Sequence, residues 1–285
     1  MQYETVTDLR NPAVVVAFSG WNDAANAASD LVERIMDHNP GDELEPFDDE
    51  DYFDYQATRP ILRREADGPW IEWPGLRFRR VRLPERDIIV VVGPEPNLKW
   101  RTFCRMMVER LSAFDPEMVI AVGAMLSDAP HSRPFPTGLF ANSDSLQDRL
   151  GFEKSDYAGP TGIVGILTQE LAHAGLATAS LWVSVPHYVS NPPNPKAQLQ
   201  LLERLEGALN ITLDRGDLPE KAVEWVDAVD ELAGQDPEIE HYIEQLEEAR
   251  DEEVVQENSG DRLAEEFTRY LERHQSGGDP EPPKH

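Results

Sequence analysis

The chain has 285 residues, of which 54 are acidic and 26 are basic, so its formal net charge is −28 at neutral pH. This charge argues against non-specific binding to nucleic acid or to anionic lipid, since both require a net-basic surface. A single cysteine, Cys104, excludes an internal disulfide and a cysteine-based metal cluster. The sequence begins without a signal-peptide pattern and contains no apolar run near the roughly 20 residues that span a bilayer. We therefore expect a cytoplasmic protein with neither a nucleic-acid nor a membrane partner.

Strand-like and helix-like patterns alternate over the first two thirds of the chain. Continuous β-branched apolar runs are typical of strands buried on both faces, and they occur at residues 13–18, 87–93, 118–124 and 177–186. Helical periodicity follows these runs, at about 23–37, 100–114, 161–174 and 195–209. This alternation predicts an α/β fold in which helices cover both faces of a mainly parallel sheet.

About 50 residues are inserted between the first two of these strands. Within the insertion, Pro74-Gly75 is a turn signal between two strand-like pieces, which predicts a β-hairpin at about residues 70–83. An isolated hairpin is marginal in water and cannot bury the large apolar side chains of this one alone: Trp70, Trp73, Leu76 and Phe78.

The same stretch carries a basic strip in an acidic protein, formed by Arg77, Arg79, Arg80 and Arg82. Pairing of the strip with the acidic surface of a neighbouring subunit would neutralise both. We therefore expect a homo-oligomer with a head-to-tail contact, which closes into a ring. In the alternative, the hairpin folds back on the sheet of its own chain.

Acidic residues are concentrated in the C-terminal third. Helical patterns at 218–234, 236–254 and 259–274 predict an acidic helical subdomain at 213–275, after an α/β domain at 1–212. The last residues, 276–285, contain no apolar side chain and are predicted to be disordered. We expect the helices to pack on the α/β domain as a lid over the strand ends; the alternative is a solubilising appendage.

Ligands of open parallel α/β sheets bind in the crevice at the carboxyl ends of the strands. The loop Gly20-Trp21-Asn22-Asp23 follows the first strand and leads into a helix. Its backbone N–H groups could face a ligand. In the alternative, Asp23 is the N-cap of that helix, Gly20 serves the turn and Trp21 packs over the sheet edge.

The later strands end in further polar residues. Glu95 stands between two prolines after the second strand, as a site residue or as a solvated turn residue. Ser127 and Asp128 follow the third strand, and His187 follows the fourth. Thr161 lies in a glycine-bearing helix start, at residues 159–165, which could bind an anion or could permit close packing of the helix on the sheet.

Catalytic and metal-binding motifs are missing from the sequence. There is no G-x-S-x-G motif and no H-E-x-x-H motif, and the seven histidines are not paired at metal-ligand spacing. A Ser–His–Asp set would have to combine His131 or His187 with Ser127 and either Asp128 or Asp23. We assign no catalytic residue and no metal ligand, and the sequence identifies no cofactor.

Three strings together resemble a known family: GWNDAANAA at 20–28, GPTG at 159–162 and VPHYV at 185–189. They are similar to the proteasome assembly chaperone family of the second type, and more closely to its actinobacterial branch, whose members carry an acidic helical C-terminal extension. The resemblance covers about residues 1–210 with the family domain. It implies a three-layer α/β/α sandwich similar to the purine nucleoside phosphorylase core. Relatives of that fold commonly form trimers, which favours a trimer here.

Two functions follow as expectations. The resemblance implies a non-catalytic binding or assembly role of the chaperone type, with an assembling protein complex as partner. The alternative is an enzyme or sensor that binds a nucleoside, a phosphosugar or an amino-acid derivative at the strand ends, under the helical lid.

Overall fold

The computed structural model describes residues 8–45, 49–141, 146 and 159–258. The chain divides into two compact units, Met1–Leu232 and Ala233–His285. The helix expected at 259–274 and the tail expected at 276–285 lie outside the described residues. The boundary expected between residues 212 and 213 stays a prediction.

Nine strands occur in the described residues. They are β1 (Ala13–Ser19), β2 (Gly41–Glu43), β3 (Ile61–Glu65), β4 (Gly68–Glu72), β5 (Arg77–Arg82), β6 (Asp87–Pro94), β7 (Met118–Ser127), β8 (Thr137–Ala141) and β9 (Thr178–Pro186). The helices there are α1 (Ala27–His38), α2 (Trp100–Ser112), α3 (Ile163–His173), α4 (Pro195–Leu209), α5 (Leu218–Ala233) and α6 (Pro237–Asn258).

Seven of the strands form one sheet, in the order β2-β5-β6-β1-β7-β9-β8. The four central strands, β6, β1, β7 and β9, run parallel, and they are the four apolar runs expected to be buried. The outer strands β2, β5 and β8 pair antiparallel. The carboxyl ends of four adjacent strands therefore lie along one edge of the sheet.

Helices cover both faces of this sheet. Alternate residues of β1 point to opposite faces, so that Val15 joins the core under α1 and α4 while Val16 joins the core under α2 and α3. Both faces of the central strands are buried, which is why their sequences are continuously apolar rather than alternating. The expected three-layer α/β/α sandwich with a mainly parallel sheet is confirmed.

The β-hairpin insertion is present, but its predicted position is wrong. Its strands are β3 and β4, which pair from Ile61–Glu72 to Glu65–Gly68 in a separate two-stranded sheet. The second strand-like piece, β5, instead joins the main sheet beside β6. The reason is burial: Phe78 and Val81 point to opposite faces of β5, and each is fully buried in one of the two cores.

The basic strip of β5 is paired inside the chain. Arg79 and Arg82 bind the carboxylates of Glu43 and Asp42 on β2, which is the neighbouring edge strand. Arg80 binds the buried Asp87 across 2.5 Å. The expected pairing of this strip with a neighbouring subunit is therefore wrong, and the alternative, in which this segment folds back on its own sheet, holds for β5.

The first two acidic helices occur as expected. Trp225 of α5 packs edge-on against Phe135, which precedes β8, at a ring distance of 6.1 Å. Helix α6 begins after Asp236, whose carboxylate accepts a hydrogen bond from the Glu238 amide at 2.9 Å, as a capping residue does. Among the helices that the structure describes, none combines the length and the hydrophobicity that a bilayer span demands.

Candidate functional site

Glu95 joins three of the expected site segments. Its Oε1 atom accepts a hydrogen bond from the Asn22 side-chain amide at 3.0 Å and another from the backbone N–H of Ile163 at 2.8 Å. Its own backbone N–H donates to the Ser19 carbonyl at the end of β1. Glu95 therefore links the end of β6, the loop after β1 and the start of helix α3.

This arrangement bears on whether the glycine-bearing start of α3 binds an anion or packs closely on its neighbours. A carboxylate at a helix N-terminus is favoured by the free N–H groups and the positive end of the helix dipole. Glu95 already occupies that position. A Cβ atom on Gly162 would lie 2.2 Å from the Asn22 side-chain nitrogen, and one on Gly165 would lie 2.2 Å from the Thr161 hydroxyl. The geometry favours close packing over anion binding.

The carboxylate of Asp23 binds the first turn of helix α1. Its Oδ1 atom accepts a hydrogen bond from the Ala28 amide at 2.7 Å, and its carboxylate also accepts from the Ser29 amide and hydroxyl. Burial raises the pKa of Asp23, and these hydrogen bonds oppose the rise. The N-cap position of α1 is held by Asn26, so Asp23 is not the N-cap that the sequence left open, although its carboxylate binds the first-turn amides within the protein.

The remaining polar candidates meet at the ends of β7 and β9. His187 Nδ1 lies 3.2 Å from the Asp128 carboxylate and 3.4 Å from the Ser127 carbonyl. The Ser127 hydroxyl is buried and has no hydrogen-bond partner among the described residues. His187 thus contacts the backbone of Ser127 rather than its hydroxyl, so these residues do not form a Ser–His–Asp set.

His131 has other partners, which the sequence did not indicate. Its Nδ1 lies 2.8 Å from the Tyr188 hydroxyl, and its Nε2 lies 2.8 Å from a carboxylate oxygen of Asp230 on α5. The Lys196 ammonium donates to the carbonyls of His131 and Arg133, and burial lowers its pKa to about 8. Through His131, these hydrogen bonds link α5 to the loops that follow β7 and β9.

Both groups of candidates lie on the same edge of the sheet. The loop after β1 is hydrogen-bonded to β7, since the Ala124 amide donates to the Asn22 carbonyl at 2.8 Å. Glu95, Asn22, Ser127 and His187 thus end or follow four adjacent strands. In the part of the chain that the structure describes, no three His, Cys, Asp or Glu side chains are grouped so that they could hold a metal ion.

Apolar side chains are exposed beside these polar groups. Trp21 is 69% exposed, and Leu98, Met125 and Leu126 are each about half-exposed. They follow or end three adjacent strands, β1, β6 and β7. We call these four residues the strand-end surface. Large apolar side chains exposed at neighbouring strand ends are one mark of a protein interaction site.

The fold and the site define a three-layer α/β/α protein whose strand-end loops bind one another and present apolar side chains to solvent. The model of the PAC2 family matches residues 17–233 of the chain. The chain therefore belongs to the PAC2 family, which confirms the resemblance that its motifs indicated. No curated protein matches the chain.

Solved structures of actinobacterial proteins are similar over most of the chain. A PAC2 family protein from Streptomyces avermitilis is 40% identical, with a TM-score of 0.75, over 81% of this chain and 99% of that one. A proteasome-assembly chaperone homologue from Mycobacterium tuberculosis is 38% identical, with a TM-score of 0.73 and the same coverage. An archaeal homologue of proteasome-assembly chaperone from Pyrococcus furiosus, at 18% identity and a TM-score of 0.58 over 86% of this chain and 97% of that one, shares the fold.

Proposed function

We propose that this protein is a non-catalytic binding or assembly protein of the chaperone type, which acts in the cytoplasm on an assembling protein complex. The observation that carries the proposal is the strand-end surface, Trp21, Leu98, Met125 and Leu126. Aromatic residues and methionine are enriched at protein interfaces, and tryptophan is among the residues whose truncation there costs the most binding free energy.

The polar groups of the same edge support this proposal. The carboxylates of Glu95 and Asp23 are already bound by groups of the same chain, so they are poorly placed to recognise a small polar substrate. Recognition at this edge then depends on apolar contact and shape, which suits a protein partner. The chaperone homologue from Mycobacterium tuberculosis points to proteasome subunits as the first partner class to test.

A pull-down from the native cell tests the proposal. Tagged wild-type protein should recover proteasome subunits or another ring under assembly, and the double variant Trp21→Ser, Leu126→Ser should lose them. Ile239→Ser is the matched control, because Ile239 is also a half-exposed apolar residue but lies on α6. Equal recovery by the double variant, or recovery of the chain alone, would contradict the proposal.

We also propose that the protein is a homo-oligomer, with a ring of three favoured. Support comes from the β3–β4 hairpin, whose large apolar side chains are exposed: Ile61, Leu62, Trp70, Ile71 and Trp73. A two-stranded hairpin is marginally stable in water without further packing. Light scattering at micromolar concentration should give the mass of a multimer, and a single-chain mass would contradict this part of the proposal.

A further inference from the structure

The two faces of the β3–β4 hairpin differ in chemistry. Residues directly opposite each other in an antiparallel pair share a face, so the pairs Arg63–Trp70 and Ile61–Glu72 lie on one face. Polar groups of this face bind each other: Arg63 Nε lies 2.5 Å from the Glu72 carboxylate, and Trp70 Nε1 donates to Glu65 at 3.0 Å. This face needs no partner for its charges.

The other face is apolar with one unpaired charge. It carries the pairs Leu62–Ile71 and Arg64–Pro69. Leu62 is 54% exposed and Ile71 is 44% exposed, while Arg64 has no ion-pair partner among the described residues. We call these four residues the docking face. A partner that fits it must offer an apolar contact beside a carboxylate.

The solvent face of α5 has that chemistry. Side chains three and four residues apart share a helix face. On α5 such spacing aligns one exposed apolar residue with four exposed carboxylates: Val223 with Glu220, Glu224, Asp227 and Glu231. None of these carboxylates has an ion-pair partner within the described part of the chain. We call the five residues the acidic stripe. The opposite side of α5 packs inward through Trp225 and Val229.

The docking face and the acidic stripe lie on different elements of the chain. The hairpin leads through Trp73, which packs on Tyr55 at a ring distance of 5.0 Å, into β5 beside the edge strand β2. Helix α5 contacts Phe135, which precedes the other edge strand, β8. Among the described residues, no hydrogen bond or ion pair joins the docking face to the acidic stripe.

We propose that the docking face of one copy binds the acidic stripe on α5 of a second copy. Arg64 pairs with the carboxylates around Asp227, and Leu62 and Ile71 cover Val223. Because the contact joins two different surfaces, it is head-to-tail and closes into a ring rather than a two-fold dimer. Contact between two identical docking faces would instead bring two unpaired arginines together. The inference rests on the proposed homo-oligomer and assigns its interface.

Charge reversal tests the interface in the full chain. By light scattering, Arg64→Glu should weaken self-association at least tenfold, and Glu224→Arg, Asp227→Arg should do the same. A chain that carries all three substitutions should regain most of the wild-type mass, since the reversed charges then complement each other at every contact of the ring. The control is Arg105→Glu, which reverses an exposed arginine on α2 and should leave the mass unchanged. Association of the wild type should weaken with salt, because exposed ion pairs are screened.

The possible failures are distinguishable. A single-chain mass for the wild type would overturn both the homo-oligomer and this interface. A wild-type multimer that Arg64→Glu leaves intact would overturn the interface alone. Failure of the chain with all three substitutions to reassociate, while it keeps the wild-type circular dichroism, would also overturn it.

Discussion

Asn22 and Glu95 hold two neighbouring strand ends together, with the amide nitrogen of one 3.0 Å from a carboxylate oxygen of the other. The same oxygen accepts the backbone N–H of Ile163 at the start of α3. Asn22 is buried, so its amide has no water to replace a lost partner. Three segments distant in sequence therefore depend on one carboxylate.

Glu95→Ala should lower the free energy of unfolding by about 2–3 kcal/mol, because it leaves the Asn22 amide and the Ile163 N–H without an acceptor. Glu95→Gln keeps an acceptor but removes the charge at the helix N-terminus, so a smaller loss of about 1 kcal/mol is expected. Urea denaturation at neutral pH measures both. If the alanine variant is as stable as the wild type, Glu95 does not hold the segments together.

Asp30 should make stability fall as pH rises from about 4 to about 7. Burial, with further repulsion from Asp23 and Glu33, raises the pKa of Asp30 from 3.8 to about 6. A folded-state pKa above the unfolded value stabilises the protein below the unfolded pKa, and this contribution is lost as pH rises through the folded value. Asp30→Asn should therefore raise the free energy of unfolding at pH 7 by about 1 kcal/mol, after discounting for partial exposure.

Asp217 is the matched control for Asp30, because its pKa is shifted in the opposite direction. Hydrogen bonds from Lys221 and Arg34 lower the pKa of Asp217 to about 2. Its stabilisation is present above pH 4 and is lost as pH falls through about 2. Asp217→Asn should thus be destabilising at pH 7, where Asp30→Asn is stabilising. Denaturation midpoints at pH 4 and pH 7 separate them, and equal effects of the two variants at pH 7 would contradict both assignments.

The sequence predicts the central strands and the helices well, because burial on both faces leaves a continuous apolar run in a strand and burial on one face leaves a period of three to four in a helix. It misplaces the hairpin because Pro74-Gly75 has the composition of a turn although it links two separate sheets. Leu76 is fixed there by its amide, which donates to Asp49 at 2.6 Å. Such a long-range contact leaves no local signal.

The sequence predicts where the candidate site lies in the fold but not which of its residues bind one another. The strand-end rule selects Asn22, Glu95, Ser127 and His187, and topology brings all four to one edge. The sequence does not reveal that Glu95 binds Asn22, or that His131 binds Asp230, which is 99 positions away. The anion-binding character expected for the start of α3, at the same edge of the sheet as Glu95, is the signal that could have linked the two.

Removal of the hydroxyl should change the free energy of unfolding in opposite directions at Ser127 and at Ser29. Ser127→Ala removes a buried hydroxyl that has no partner among the described residues, so the free energy of unfolding should rise by about 1 kcal/mol. Ser29→Ala removes the hydroxyl that donates to the buried Asp23 carboxylate, so a loss of about 1–3 kcal/mol is expected. Destabilisation by both variants would indicate that the Ser127 hydroxyl has a partner, such as a bound molecule.

Gly162 and Gly207 are both glycines at or in helices, yet a methyl group should have opposite effects at the two positions. A Cβ on Gly162 would lie 2.2 Å from the Asn22 side-chain nitrogen, whereas one on Gly207, within α4, would meet no atom within 4 Å. Gly162→Ala should therefore lower the free energy of unfolding by about 1–3 kcal/mol, as overpacking does. Gly207→Ala should raise it by about 0.5–1 kcal/mol, because alanine is the better helix former.

A double variant identifies the atom responsible. Asn22→Ala removes the side chain that the new methyl group would meet, so Gly162→Ala should cost much less in that background than in the wild type. Urea denaturation of the four proteins gives the coupling between the two positions as a double-mutant cycle. A coupling near zero would mean that the new methyl group clashes with atoms other than those of Asn22. In that case the small size of Gly162 is not what allows the Asn22 side chain to reach Glu95.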